Sequence, residues 1–271
     1  MNEAYNMDCV QFMSTMDSET VDLTVTSPPY DNLRDYGKNT FDYEETIKEL
    51  FRITKQGGVV VWVVADQTVN GSETGTSFQQ TLFAKKSGFR LHDTMIWEKD
   101  SYSFPETVRY QQCFEYMFVW SKGRPKTFNP IEDRKNKWAG CKMHGTFRMA
   151  DGSTRKRSET WKEIECKEYG KRFNVWQIPS EKNNKSGHPA VFPLTIARDH
   201  IITWSNVGDV VFDPFLGSGT TRIAAYDLGR NFIGTEIHKP YFDAQEDRFK
   251  RHIAQPRLEQ MIQQAEQEAL F

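Results

Sequence analysis

Short apolar runs alternate with stretches of helical spacing along most of the chain, as strands and helices do when they follow one another. Val21–Thr26 (VDLTVT) reads as a buried strand ending at Ser27-Pro28-Pro29-Tyr30. Phe41–Thr54 has helical spacing, Gly57-Gly58 opens the apolar β run Val59–Val64 (VVVWVV), and Ser77–Lys86 is the next helix. Arg90–Trp97 and Glu115–Trp120 read as two further strands, joined by a polar, aromatic loop. From Lys122 to about Gly170 the periodicity dissolves into basic, polar sequence, which reads as an inserted module. Regular spacing returns near Ala190: a helix over Phe192–Thr203, a strand over Asp209–Phe212, a helix over Thr220–Leu228, a strand over Asn231–Glu236 and a helix over Pro240–Ile253. Arg257–Leu270 places Leu258, Met261, Ile262, Ala265 and Ala269 on one face, suited to packing on its own domain or on a second copy. Strand and helix in alternation predict an α/β sheet, and no internal repeat of fixed period interrupts it.

The 271 residues allow one large domain with an insertion. No apolar run is long enough to span a membrane, and Met1–Val10 lacks the basic-then-apolar order of a signal sequence, so a cytoplasmic protein is expected. Cys9, Cys113, Cys141 and Cys166 form no C-x-x-C pair and read as free thiols. Cys141, His144 and Cys166 lack a fourth ligand at suitable spacing, so no metal site is expected. The net charge is −2, yet Lys122–Arg157 carries a local charge of +8. A basic segment on an otherwise acidic chain is the footprint of a local nucleic-acid contact, although a solvated charged loop accounts for the charge equally well.

Two segments carry chemistry. Consecutive prolines after a strand hold the chain extended and remove backbone donors. The Ser27 hydroxyl and the Pro28 carbonyl then offer two acceptors to an –NH2 group, and Tyr30 offers a flat face for a base. Amino methylation needs this arrangement. The lone pair of an exocyclic amine is delocalised into the ring until acceptors hold its hydrogens out of plane, and the base must first leave the duplex stack. An ordinary proline-rich turn reads the same four residues as well. The second segment, Asp209–Thr221 (DVVFDPFLGSGTT), is a strand running through Asp213-Pro214-Phe215 to Gly217-x-Gly219 and a helix start. Glycines admit close backbone approach, and a helix N-terminus favours an anionic group. Glu236 ends the next strand 23 residues after Asp213, the spacing of an acid that accepts from ribose hydroxyls. Together these predict an adenosine-containing cofactor. Gly219-Thr220-Thr221-Arg222 lacks the lysine of a phosphate-binding loop and the third glycine of a dinucleotide fold.

Ser27-Pro28-Pro29-Tyr30 and Asp213-Pro214-Phe215-Leu216-Gly217-Ser218-Gly219-Thr220, in that order with a basic stretch between, resemble the catalytic and S-adenosylmethionine motifs of beta-arrangement DNA amino methyltransferases. The resemblance covers Met7 to about Phe249 and fades in the insert. It implies a Rossmann-like methyltransferase fold: a doubly wound, mostly parallel sheet with one antiparallel strand, plus an inserted target-recognition module. On that plan residues 1–121 form the catalytic half, 122–180 the recognition insert, 181–254 the cofactor-binding half and 255–271 a C-terminal helix.

The resemblance assigns further roles. Asp8 is placed like the acid that binds the cofactor's adenine amine, although a helix cap or surface acid fits it too. Phe215 would pack against the cofactor, with Thr220 and Thr221 near its methionine end. His188-Pro189 and Phe192-Pro193 resemble the segment that closes the pocket, with His188 a ligand or a simple loop residue. Asn32, Arg34 and Tyr36 would line a DNA-facing loop. In the insert, Lys and Arg would contact phosphates of double-stranded DNA and some would read guanine edges. Trp138, Phe147 and Trp161 are candidates for stacking on DNA, against the commoner fate of core packing. A homodimer and a cognate restriction endonuclease are the protein partners such an enzyme admits.

Cytosine C5 chemistry needs a cysteine after proline, and none stands there. Within the resemblance, Ser at the first motif position favours cytosine N4 over adenine N6. Methyl transfer to another amine, in RNA or protein, and a non-enzymatic DNA-binding module are the remaining readings.

Overall fold

In the computed structural model, which describes residues 2–29, 41–101, 107–142, 145–156, 164–181 and 193–254, the apolar run Val59–Val64 lies at the middle of an eight-stranded sheet. Its strands are β1 (Asn2–Tyr5), β2 (Val21–Thr26), β3 (Thr54–Val64), β4 (Arg90–Glu98), β5 (Phe114–Ser121), β6 (Val175–Gln177), β7 (Val210–Asp213) and β8 (Asn231–Thr235), in the order β1-β8-β7-β2-β3-β5-β4-β6. Only β5 runs against its neighbours β3 and β4, and every other pairing is parallel.

Parallel strands are covered on both faces, and the sequence shows why β3 has no polar alternation. Val59, Val61 and Val63 join one core with Ile196, Ala197, Ile201, Ala224 and Ala225, from α4 (Leu194–Trp204) and α5 (Thr220–Asp227). Val60, Trp62 and Val64 join the opposite core with Met13, Ile47, Leu50 and Ala84, from α1 (Cys9–Ser14), α2 (Tyr43–Ile53) and α3 (Thr76–Lys86). The chain is therefore doubly wound. A last helix, α6 (Lys239–Ala254), packs on α5.

α2 starts where Asp42 accepts from the Glu44 and Glu45 amides, and it buries Ile47, Leu50 and Ile53 at helical spacing. α3 instead buries small and polar residues. Its Gln80 accepts from the Trp62 indole N–H at 2.8 Å.

β3 begins at Thr54, directly after α2, rather than at Gly57-Gly58 as its sequence predicts. The register slips between Val21, which pairs with Thr54, and Leu23, which pairs with Val59, so residues 55–58 bulge out of the ladder. Gly57 makes this possible with φ +81°, and a Cβ on Gly58 would meet Thr54 Cγ2 at 2.8 Å. β1, α1 and β6 have no counterpart in the periodicity. They are four, six and three residues long, too short to show one.

Residues 130–173 form a separate unit within the aperiodic basic stretch. Two short ribbons pair 134–135 with 169–170 and 146–148 with 154–156. Arg172 grips Asp133, and the Arg134 guanidinium lies 4.6 Å from the Phe173 ring centre. Every described residue from Lys137 to Lys156 is exposed, so this unit builds little core. The C-terminal stretch 255–271 lies outside the described residues. Among them no helix is long and apolar enough to cross a membrane.

At the amino end of the central strands, the buried Asp22 joins three of them. Its carboxylate receives the Lys55 ammonium at 2.6 Å, the Val210 amide at 3.0 Å and the Lys126 ammonium at 2.9 Å. Burial works against the charge, but Lys55, the Val210 amide and Lys126 outweigh it and hold the carboxyl below its ordinary range. Asp22→Asn should lower stability at pH 7 by about 2 kcal/mol in urea unfolding, a charged hydrogen bond discounted for the partial exposure of both lysines. A depressed pKa gives stability above the unfolded-state value and loses it as pH falls through the folded one. The gap between variant and wild type should therefore narrow below about pH 4, and a constant gap would remove the ionic account.

Candidate cofactor and base pocket

β1, β8, β7, β2 and β3 are parallel, so their carboxyl ends share one rim of the sheet. Along that rim the chain presents, in order, Asp8, Glu236, Asp213, Ser27 and Asp66. From β7 the chain runs through α5 on one face to β8. From β2 it runs through α2 on the other face to β3. The gap between β7 and β2 is thus a topological switch point, where the connections diverge and leave a crevice.

The two segments singled out in the sequence stand on either side of that crevice. Leu23 pairs with Val211 and Thr24 with Phe212, so Thr26 and Asp213 finish their strands together. The Thr26 hydroxyl donates to Asp213 Oδ1 at 2.6 Å, and the Phe215 amide donates to the same oxygen at 3.1 Å. Asp213 is buried, and burial pushes its carboxyl up to about 6 despite the Thr26 and Thr221 hydroxyls. Ser27 is half-buried, Pro28 buried and Pro29 half-buried. Tyr30, Asn32, Arg34 and Tyr36 lie outside the described residues.

The glycine turn is built as its composition requires. Gly217 and Gly219 adopt φ of +49° and +78°, where a side chain is strained, and a Cβ on Gly219 would press on Gln245 at 3.3 Å. Glu236 fixes the turn. Its Oε2 accepts from the Gly217 amide and its Oε1 from the His238 amide, both at 2.9 Å. Burial raises the Glu236 pKa. Pro214 is buried, and its carbonyl accepts from the Thr235 hydroxyl at 2.8 Å. Phe215 meets Phe41 edge-on at 5.2 Å. Thr220 and Thr221 turn their hydroxyls into the protein. Thr220 pairs with the Ser218 hydroxyl at 3.1 Å, and Thr221 donates to the Val25 carbonyl at 3.2 Å.

Asp8 caps α1, its Oδ1 accepting from the Val10 and Gln11 amides. Its neighbour Asn6 ties that segment to the pocket by donating to the Glu236 carbonyl at 2.7 Å. His188 and Phe192 lie outside the described residues, as do His144 and Trp161. Among the described residues no group of three or more His, Cys, Asp and Glu is placed to hold a metal ion.

Sequence reasoning passed over Thr26, Asn6 and Arg248. Thr26 was hidden inside a β-branched strand. Arg248 stands in α6, far along the chain, yet donates to the Ser218 carbonyl at 2.8 Å and so holds the glycine turn from outside.

Residues 21–247 match a family model described as DNA methylase, for enzymes acting at N6 or N4. The chain belongs to the S-adenosylmethionine-dependent DNA amino methyltransferases. The orphan methyltransferase M.BamHII of Bacillus amyloliquefaciens is 54% identical over 242 residues, covering 86% of this chain and 90% of that protein. The type II methyltransferase M.SmaI of Serratia marcescens is 27% identical, covering 90% and 89%. Among solved structures, a DNA modification methylase of Thermus thermophilus complexed with S-adenosyl-L-methionine superposes with a TM-score of 0.63 at 24% identity, covering 93% of this chain and 94% of that one. The cytosine-N4-specific PvuII DNA methyltransferase superposes with 0.67 at 19% identity, covering 91% and 86%.

The family's cofactor fits this methyltransferase's pocket. The turn carries no side chain at Gly217 and Gly219, α5 begins at it, and the Asp8 and Glu236 carboxylates stand on the same rim as acceptors of the kind adenine and ribose need.

A raised carboxyl pKa means that stability is greatest with the acid protonated and declines as pH rises through about 6. Thr26→Val removes a donor to the ionised form. Urea unfolding should show a loss of about 1–3 kcal/mol near pH 8 and a smaller loss near pH 5, where Asp213 is protonated. An equal loss at both pH values would mean that the Thr26 hydroxyl does not support the carboxylate.

Proposed function

We propose that this enzyme transfers a methyl group from S-adenosylmethionine to N4 of a cytosine turned out of double-stranded DNA. The observation that carries the reading is the Thr26–Asp213 hydrogen bond of 2.6 Å, which puts the serine-proline corner and the glycine turn on the two lips of one crevice.

The cofactor, when bound, supplies an electrophilic methyl on a sulfonium centre. Asp8 accepts from its adenine amine and Glu236 from its ribose hydroxyls. Phe215 would pack on it beside the turn from Asp213-Pro214-Phe215 to Gly219. Thr220 and Thr221 contribute through their peptide N–H groups, since their hydroxyls are committed inside the protein. His188 closes the pocket.

On the other lip, Ser27 and the Pro28 carbonyl take the two hydrogens of the base amine. Pro29 keeps the corner stiff, and Tyr30 stacks on the base. Held this way, the amine lone pair points across the crevice. With the cofactor bound, it would supply its methyl at this nitrogen, the sulfonium sulfur keeping the bonding pair, and one amine proton would leave to solvent. A neutral serine can also donate to a ring nitrogen, which suits cytosine N3 beside N4. The module 122–180, whose described residues from Lys137 to Lys156 are all exposed, contacts the phosphates and reads the sequence.

Incubation with tritiated cofactor and plasmid DNA, followed by digestion to nucleosides, should put the label in N4-methylcytosine. Label in N6-methyladenine would overturn the choice of base. Ser27→Ala should cut turnover about 100-fold or more, the scale of one lost hydrogen bond made in a transition state, with cofactor affinity intact. Glu236→Ala should instead weaken cofactor binding about 10-fold or more by calorimetry. Wild-type turnover in Ser27→Ala would refute the assignment of the corner.

A further inference from the structure

β4 runs parallel to β3, so the loop from Lys99 to Cys113 leaves the sheet at the same rim as Ser27. β4 is three strands from β2, which sets the foot of the loop about 15 Å from Ser27 at ordinary strand spacing. Of this loop, residues 99–101 and 107–113 are described. Among these described residues Tyr110 is 99% exposed and Val108 88% exposed, with a half-buried arginine between them.

That arginine aims the tip. Arg109 donates to the Gly71 carbonyl and reaches the Thr68 hydroxyl at 3.4 Å. Both acceptors belong to a small hairpin that follows β3, with 68–69 paired to 72–73. Its turn, Asn70-Gly71, has φ of +49° and +78°, the two-residue form that matches strand twist and makes a firm post. β3 is the immediate neighbour of β2, so the contact draws the tip from the β4 end of the rim toward the crevice. No carboxylate stands between Thr107 and Cys113.

We infer that Val108–Tyr110 is the wedge that enters the DNA duplex when the target base is turned out. An extruded base leaves a gap one stacking layer thick and an unpaired partner, and apolar or aromatic side chains fill such gaps. Tyr110 stacks on the orphaned partner base, Val108 fills the gap beside it, and Arg109 fixes both to the 68–73 hairpin. This rests on the proposed function, since a wedge has work only if the enzyme extrudes a base.

The test uses the full-length enzyme and two short duplexes carrying its recognised site, located by long-read sequencing of plasmid modified in cells. One duplex is fully paired; the other mispairs the target base and so is already loosened. Tyr110→Ala should lower kcat/KM on the paired duplex about 10-fold or more, the scale of one lost aromatic–base stack. On the mispaired duplex it should recover to within a few fold of wild type, with cofactor affinity unchanged. Tyr110→Trp, which keeps an aromatic face, should restore most of the loss. Undiminished activity of Tyr110→Ala on the paired duplex, or an equal fall on both duplexes, would overturn the wedge while leaving the wild-type reaction standing. A wild-type enzyme that methylates neither duplex would instead remove the functional reading beneath it.

Discussion

A carboxylate buried where two parallel strands end is expensive unless hydrogen bonds compensate it, and Asp213 is compensated chiefly from the neighbouring strand. The Thr26 hydroxyl crosses from β2 to meet it, while at the other end of the same pair the Asp22 carboxylate crosses to the Val210 amide. β2 and β7 are therefore pinned at both ends, with Leu23–Val211 and Thr24–Phe212 paired between. Because the chain departs from these two strands in opposite directions, no helix among the described residues fills the space above them. The crevice is a consequence of topology, and the two buried acids stop its lips from sliding past each other.

The glycine turn needs a second set of restraints. Left-handed glycines give backbone access but hold little conformation of their own. Glu236 fixes the turn from β8, while α6 fixes it from outside through Gln245 and Arg248. Arg222 ties these elements together. It donates to Gln245, pairs with Glu246, reaches the Asn2 carbonyl and lies 4.0 Å from the Phe249 ring centre. Glu236, just after β8, and residues of α5 and α6 thus set the shape of a turn whose two glycines carry no side chains to set it by.

What the sequence made legible follows from how locally each feature is encoded. β3 is readable because six consecutive apolar residues after a glycine pair have few other uses, and α2 because its apolar residues recur at helical spacing. The crevice itself was legible only through two motifs, since their adjacency depends on a strand order that brings residue 26 beside residue 213. β1 escaped notice because an edge strand of four half-exposed residues carries no pattern. It forms because β8 offers an unpaired edge, and its consequence is large: it brings Asn6 and Asp8 to Glu236. The Asn70-Gly71 hairpin is the opposite case. Its turn residues are a strong local signal that a search for strands and helices passes over.

The unit 130–173 differs from the sheet in kind. The sheet derives its order from two buried faces, so most substitutions there disturb packing and, through β2 and β7, the crevice. In the smaller unit every described residue from Lys137 to Lys156 is exposed, and order comes from short ribbons, the Arg172–Asp133 pair and side-chain-to-backbone bonds such as Asn136 Nδ2 to the Lys167 carbonyl. Side chains on such a surface can change with little loss of fold. One chain thus holds two kinds of order, a doubly covered sheet fixed by its buried faces and a segment with almost no interior fixed by a few polar pairs.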